Sequence, residues 1–194
     1  DTAQIKNPIN SWNDLWRTDL RSKVSVPNIT TTAGPTIVLT AGRHKNVDAF
    51  NQPSVAFNAL KDLKNNILKT YNRSSNLANM FAQGEIAAGV AMNFVMPRIK
   101  KALPSAVWVD PKEGSFVNIN TINVVKGSPK KELAEKYINF VLSKKIQEDI
   151  AFVKVDSPVN MKVILDHDQA EGLTYSGELI DSFQDVNWSE INKR

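Results

Sequence analysis

Few side chains in this sequence have the type and spacing that chemistry needs. Cysteine is absent, which removes thiolate nucleophiles, thiolate metal sites and a disulfide framework together. The two histidines, His44 and His167, sit in no HExxH pattern. Asp166-His167-Asp168 carries metal-ligand side chains. Three consecutive residues of a regular element cannot all point at one ion, however, and zinc sites draw ligands from separated segments. The run reads as an exposed acidic turn. Asp110 and Glu113 are paired carboxylates that nothing places across a scissile bond. Gly114-Ser115 lacks the flanks of a nucleophile elbow, and no Walker loop or GxGxxG run occurs. No catalytic residue, metal or cofactor is expected, and the chain is not expected to be an enzyme.

One stretch does suit binding. Thr30-Thr31-Thr32-Ala33-Gly34 precedes a helix start, where backbone N–H groups and hydroxyls can hold an anion or a polar ligand. Ser and Thr are also ordinary helix caps, so the stretch reads equally as a capped helix start.

The chain of 194 residues is long enough for one domain or two small ones. Its 24 Lys+Arg against 20 Asp+Glu leave a net charge of +4. The basic residues are scattered, with short clusters at 98–101, 126–131 and 144–145, and no aromatic residues interleave with them. A nucleic-acid binder concentrates charge on one face and adds stacking platforms, so no nucleic-acid partner is expected. No apolar run reaches the roughly 18–20 residues of a membrane helix. The sequence opens at Asp1 with neither a charged nor an apolar leader segment, as after removal of a signal or inside a longer protein. Asn28, Asn72 and Asn187 begin N-x-S/T sequons, which arise easily by chance in an Asn-rich chain.

The elements that would position these residues alternate in type. Ser11 and Asp14 predict a capped short helix, with Trp12 and Trp16 sharing a face as packing. Lys23–Pro27 alternates and stops at proline, as a half-buried strand does. Pro35 and Pro53 sit in the tolerated first turns of two helices, the second with a face at Phe57, Leu60 and Leu63. Lys64-Asn65-Asn66 suits a helix end before a strand at 68–71, although Ile67 and Tyr71 continue the helical spacing. Ser74 or Ser75 caps the next helix, with Leu77, Met80 and Phe81 inward, and Gly84-Glu85 ends it. Apolar runs at 86–92, 106–109 and 116–125 read as strands. Ser128-Pro129 then starts a helix with a wide apolar face (Leu133, Ala134, Tyr137, Ile138, Val141, Leu142). Shorter helices follow from Ser143 to Ile150, at 161–165 and at 180–183. Strands alternating with helices predict an α/β fold with a largely parallel sheet.

The order of short motifs resembles a known family. The carrying residues are Ser11-Trp12-Asn13-Asp14-Leu15-Trp16, then Leu20-Arg21-Ser22-Lys23-Val24 and 83–93 (QGEIAAGVAMN). They continue with Pro111-Lys112-Glu113-Gly114, Lys126-Gly127-Ser128-Pro129, 134–142 (AEKYINFVL) and Ser157-Pro158-Val159-Asn160. Together they resemble the bacterial extracellular solute-binding proteins of ABC importers, in particular the spermidine/putrescine-binding-like group. The resemblance covers nearly the whole chain.

It implies a type II periplasmic-binding-protein-like fold: an α/β lobe with a largely parallel mixed sheet flanked by helices, plus carboxy-terminal helices. It assigns 1–117 to the second lobe, 118–165 to a crossing strand and the carboxy-terminal part of the first lobe, and 166–194 to tail helices packing back on the second lobe. Most of the first lobe would then precede this sequence, leaving the helices at 128–150 with an apolar face that is exposed or buried by self-association. Function follows as capture of a small polar solute in an interlobe cleft and delivery to ABC permease membrane subunits, in a periplasmic or extracellular setting, a lipid anchor included. A sensory or interaction module on the same fold is the alternative. Where the family's polyamine binders carry a tryptophan and an aspartate, this chain has Asn118 and Asn120. Met92, next to Asn93, replaces another tryptophan, and the acidic positions after the second-lobe strand fall at Thr31 and Thr32. With cation–π and charge partners gone, the resemblance implies a neutral polar or anionic solute held by Thr31, Thr32, Met92, Asn93, Asn118 and Asn120.

Overall fold

The structure, a computed structural model, describes residues 1–153, 156–170, 172–175, 177–184 and 186–192. The chain forms two compact units: residues 1–116 with 183–194, and residues 117–182. The tail segment expected at 166–194 contains Glu171, Ser176, Asp185, Lys193 and Arg194, which lie outside the described residues.

The first unit is built on a parallel three-stranded sheet in the order β2-β1-β3, with β1 Val24–Pro27, β2 Ile67–Tyr71 and β3 Ala88–Gly89. Every residue of β1 is buried, as a central strand flanked on both edges requires. Val24 pairs with Ile67 on one side and Ala88 on the other. The Ser25 hydroxyl, fully buried, donates to the Lys69 carbonyl at 2.8 Å.

Between β1 and β2 run α1 (Gly34–His44) and α2 (Pro53–Leu63), each with proline in its first turn. Gly34 is there for space: a Cβ would lie 2.2 Å from the Asn28 carbonyl oxygen and 2.5 Å from Ile29 Cα. The helix stops before Asn66 as the Lys64–Asn66 reading requires, and β2 follows directly. Its inward face is Ala56, Ala59 and Leu63. Phe57, expected inward, is exposed, because the small alanines allow close helix approach. Asn66 is buried and donates through Nδ2 to the carbonyls of Leu15 and Arg17, both at 2.7 Å. It thereby ties the β2 start to the amino-terminal turns.

Between β2 and β3 runs α3 (Ser74–Ala82), and α4 (Met96–Ala102) follows β3. Leu77, Met80 and Phe81 are buried as their spacing predicts. Ser74 is the first helical residue, however, and the N-cap is Arg73 with no side-chain cap bond. Three apolar clusters result among the described residues, one of them a small group of Leu39, Ala49 and Ala56. Another gathers Leu77, Phe81, Ile86, Val95 and Ile99. The third gathers Leu15, Leu20, Val24, Ile37 and Leu63.

Two expected strands are absent among the described residues, and a third is short. Residues 106–109 are irregular, 116–125 hold only an isolated parallel bridge from Phe116 to Gln184, and the 86–92 run pairs only at Ala88–Gly89. Ile86, Ala87 and Ala106 are buried all the same. Apolar runs report burial, and a strand needs a partner as well.

The second unit contains α5 (Lys131–Val141), α6 (Lys144–Phe152), α7 (His167–Ala170) and α8 (Gly177–Asp181). α5 begins two residues after Pro129 rather than at it, since Lys130 takes the N-cap position. Residues 161–165 form a turn and no helix, and α8 ends before Phe183. α5 has no buried residue: Leu133, Tyr137 and Phe140 are 66%, 58% and 59% exposed. Polar stitches hold this unit. Gln147 donates to the Val141 carbonyl and accepts from the Val159 amide. Asn160 donates to the Leu142 carbonyl. The Tyr175 hydroxyl accepts from the Leu165 amide and donates to the Val163 carbonyl. A last helix, α9 (Trp188–Ile191), belongs to the first unit. Among the described residues no helix is long and apolar enough to cross a membrane.

Candidate solute-binding site

All three strands run parallel, so their carboxyl ends share one edge of the sheet. In open parallel α/β sheets, ligands bind at that edge where the strand order reverses. Here the reversal lies at β1, whose neighbours β2 and β3 are reached through helical connections. The Asn28 amide donates to the Tyr71 carbonyl and the Tyr71 hydroxyl donates to the Val90 carbonyl, both at 2.8 Å. The ends of β1, β2 and β3 are thereby fixed to one another. Burial pushes the Tyr71 phenol up to about 12, so it remains a neutral donor.

The loop after β1 carries Thr31 and Thr32. Thr31 turns back on Asn28, its amide and hydroxyl reaching the Asn28 carbonyl at 2.9 and 2.7 Å, and Thr32 is exposed. The turn delivers the chain into α1. After β3 come Met92 and Asn93, both half-buried. The amino ends of α1 and α3 lie at this same edge. Neither has a side-chain cap, and neither carries an acidic residue in its first turn. Helix N-termini carry about half a positive charge, so this edge favours a ligand's negative or strongly polar group. Asn72 and Arg73 after β2 are part of the same edge, and the motif-based reading missed them. The rule that every parallel strand contributes its carboxyl end would have found them.

Asn118 and Asn120 lie in the second unit. Asn118 is half-buried, and Asn120 donates to the Asp156 carboxylate at 2.7 Å. The six residues picked from the sequence therefore divide four and two between the units.

At the carboxyl end of α1, away from the edge-forming loops, the aromatic pair does structural work. Trp16 stacks on His44 with ring centroids 4.0 Å apart and donates to the Ala59 carbonyl. Trp12 donates to the Gly114 carbonyl and packs against Phe116, whose ring also faces the Arg43 guanidinium at 5.1 Å. Ser11 and Asp14 form the expected capping box. The Ser11 hydroxyl and Trp12 amide also donate to the Glu113 carboxylate. Burial pushes the Glu113 acid up, but these bonds outweigh it and hold it below its ordinary value. Asp166 accepts from the Gln169 amide at 2.8 Å and so caps the short helix α7, where the sequence predicts a turn. Among the described residues no group of three or more His, Asp or Glu gathers as a metal would need.

Comparison with known proteins decides the family. The description "Bacterial extracellular solute-binding protein" matches residues 1–194. The chain belongs to that family.

Among solute-binding proteins, the crystal structure of an ABC transporter from Clostridium perfringens superposes with a TM-score of 0.83 at 42% identity, covering 95% of this chain and 58% of that one. The spermidine/putrescine-binding periplasmic protein 1 of Haemophilus influenzae is 30% identical over 140 residues, 72% of this chain and 38% of that protein. A Salmonella typhi protein provisionally named for periplasmic 2-aminoethylphosphonate binding is 26% identical over 195 residues, 96% of this chain and 56% of its own length. The chain thus spans well under two thirds of the relatives it matches. The fold is that of type II periplasmic binding proteins, an α/β arrangement with helices flanking a sheet that is parallel among the described residues.

Proposed function

We propose that this chain is part of the substrate-binding component of an ABC importer, working in the periplasmic or extracellular space by binding rather than catalysis. It captures a small polar solute and hands it to membrane permease subunits. Thr31, Thr32, Met92 and Asn93 line the site on the sheet-bearing unit, and Asn118 and Asn120 are candidate ligand-binding residues of the second unit. In lobe terms, 1–117 is the second lobe, 118–165 the crossing segment and the carboxy-terminal part of the first lobe, and 166–194 the tail. The apolar face at 128–150 is covered by the rest of the first lobe in a longer polypeptide, or by a second copy when this chain stands alone.

The observation that supports a solute with an anionic group is the pair of uncapped helix N-termini without first-turn acids at the carboxyl edge of the sheet. A dicationic polyamine finds no carboxylate among the six residues, whereas a phosphonate or carboxylate finds hydroxyls, amides and positive helix ends. The provisional name of the Salmonella relative fits this preference.

A thermal-shift panel of 2-aminoethylphosphonate, phosphorylated compounds, amino acids, sugars, putrescine and spermidine tests it. A ligand at about a hundred times its Kd adds roughly 2.7 kcal/mol, or several degrees at about 2–4 °C per kcal/mol. The anionic compounds are expected to shift the chain and the polyamines are not. A shift by putrescine or spermidine alone would overturn the assignment.

A further inference from the structure

The chain leaves the sheet-bearing unit after Phe116 and returns to it at Phe183. At this junction Gln184 makes an unusual set of bonds. Its amide N–H donates to the Ser115 carbonyl at 2.9 Å, and a parallel bridge joins it to Phe116. Its side-chain Nε2 donates to the carbonyls of Glu113 and Gly114 at 2.7 and 2.6 Å. The residue is 9% exposed, and its Oε1 is buried without a partner. The amide cannot turn over to satisfy that oxygen, because Oε1 would then face two carbonyl oxygens. The fold keeps one unpaired acceptor in order to keep two donors, which marks the donors as the useful end.

The outgoing passage is held from the other side by the chain's first helical turn. Trp12 Nε1 donates to the same Gly114 carbonyl at 2.9 Å, and Glu113 accepts from Ser11 and Trp12. Gly114 sits at φ 87°, where a side chain would be strained. Phe116 is packed between Trp12 and Arg43.

We infer that Gln184 is a positioning residue that ties the outgoing passage at 113–116 to the return passage at 183–184, so that both leave the sheet-bearing unit as one element. The tether is independent of the solute.

Hydrogen exchange on the 194-residue chain, with Gln184→Met and Gln184→Glu variants, tests this without any ligand. In Q184M the backbone amide at position 184 is expected to exchange about tenfold faster, while the amides of Val24 and Leu103 keep their protection. In Q184E an ionised carboxylate would face two carbonyl oxygens and lose protection at least as far. Protonation restores one O–H donor, so acidification is expected to return about threefold of that protection once intrinsic exchange is corrected, with no such return in wild type or Q184M. Unchanged exchange at position 184 in Q184M overturns the inference. So does loss spread equally to Val24 and Leu103 in both variants, or failure of Q184E to recover on acidification.

Discussion

The sheet-bearing unit and the 117–182 unit are stabilised by different means. The first buries Leu20, Val24, Leu63, Leu77 and Ile86 almost completely, each contributing about 1.5–3 kcal/mol of transfer free energy. The second buries Ala151, Val163 and Leu173 and otherwise depends on Gln147, Asn160 and Tyr175 bonding to backbone. Such bonds contribute a net of about 0.5–1.5 kcal/mol apiece. The difference teaches that a backbone can be well stitched while its hydrophobic face is still unpartnered. Stability in the first unit is intrinsic. In the second it rests largely on polar bonds to backbone, with the apolar face of α5 exposed.

The largest effect that could break this contrast is a core truncation. Leu77→Ala is expected to cost about 2–5 kcal/mol in chemical denaturation, and Leu133→Ala on α5 no more than about 0.5 kcal/mol, both measured at concentrations low enough to keep the chain monomeric. Equal costs would mean that α5 is already covered in the chain as it stands. Next, Asn66→Ala removes two donors from the carbonyls of Leu15 and Arg17 and is expected to cost about 1–3 kcal/mol. Gln147→Ala should instead raise hydrogen exchange only between Val141 and Val159, leaving the β1 amides protected.

Light scattering sharpens the comparison further. The chain is expected to self-associate, and Leu133→Lys with Phe140→Lys to return it to monomer. A strictly monomeric wild-type chain would refute the self-association reading.

The smallest effect concerns pH. Burial, with Lys45 nearby, holds His44 below its ordinary 6.5, and Asp62 opposes this weakly. The folded state then binds fewer protons than the unfolded chain, so stability falls as pH drops from 6.5 through the lowered folded value and is unaffected well above 6.5. The melting temperature of the first unit, followed by Trp16 fluorescence, is expected to decline in that window and to become flat there in His44→Gln.

Much of the first unit was legible because local signals and tertiary contacts agree there. Ser11 and Asp14 predicted a capped short helix, Lys23–Pro27 a strand and Lys64–Asn66 a helix end, and each holds, although the strand is buried throughout rather than half-buried because it pairs on both edges. The 86–92 and 106–109 runs misled because Ile86 and Ala106 are buried in the cluster formed with α3 and α4 rather than by strand partners. Phe57 misled because alanine spacing, not bulk, set the inner face of α2. For the candidate site, Thr31, Thr32, Met92 and Asn93 were placed through family motifs. Arg73 has no motif and is placed only by topology. Gln184 was invisible for a different reason: its partners, Glu113 and Gly114, are about seventy residues away and offer only backbone carbonyls.

The strand order also has a consequence for the timing of assembly. β1 is the middle strand, yet it is synthesised first, and its partners at Ile67 and Ala88 come some forty and sixty residues later. At roughly 5–20 residues per second on a ribosome, Val24 and Val26 wait several seconds with both edges unpaired. The sheet therefore cannot grow outward from its earliest strand, and it closes only when its last and shortest one arrives.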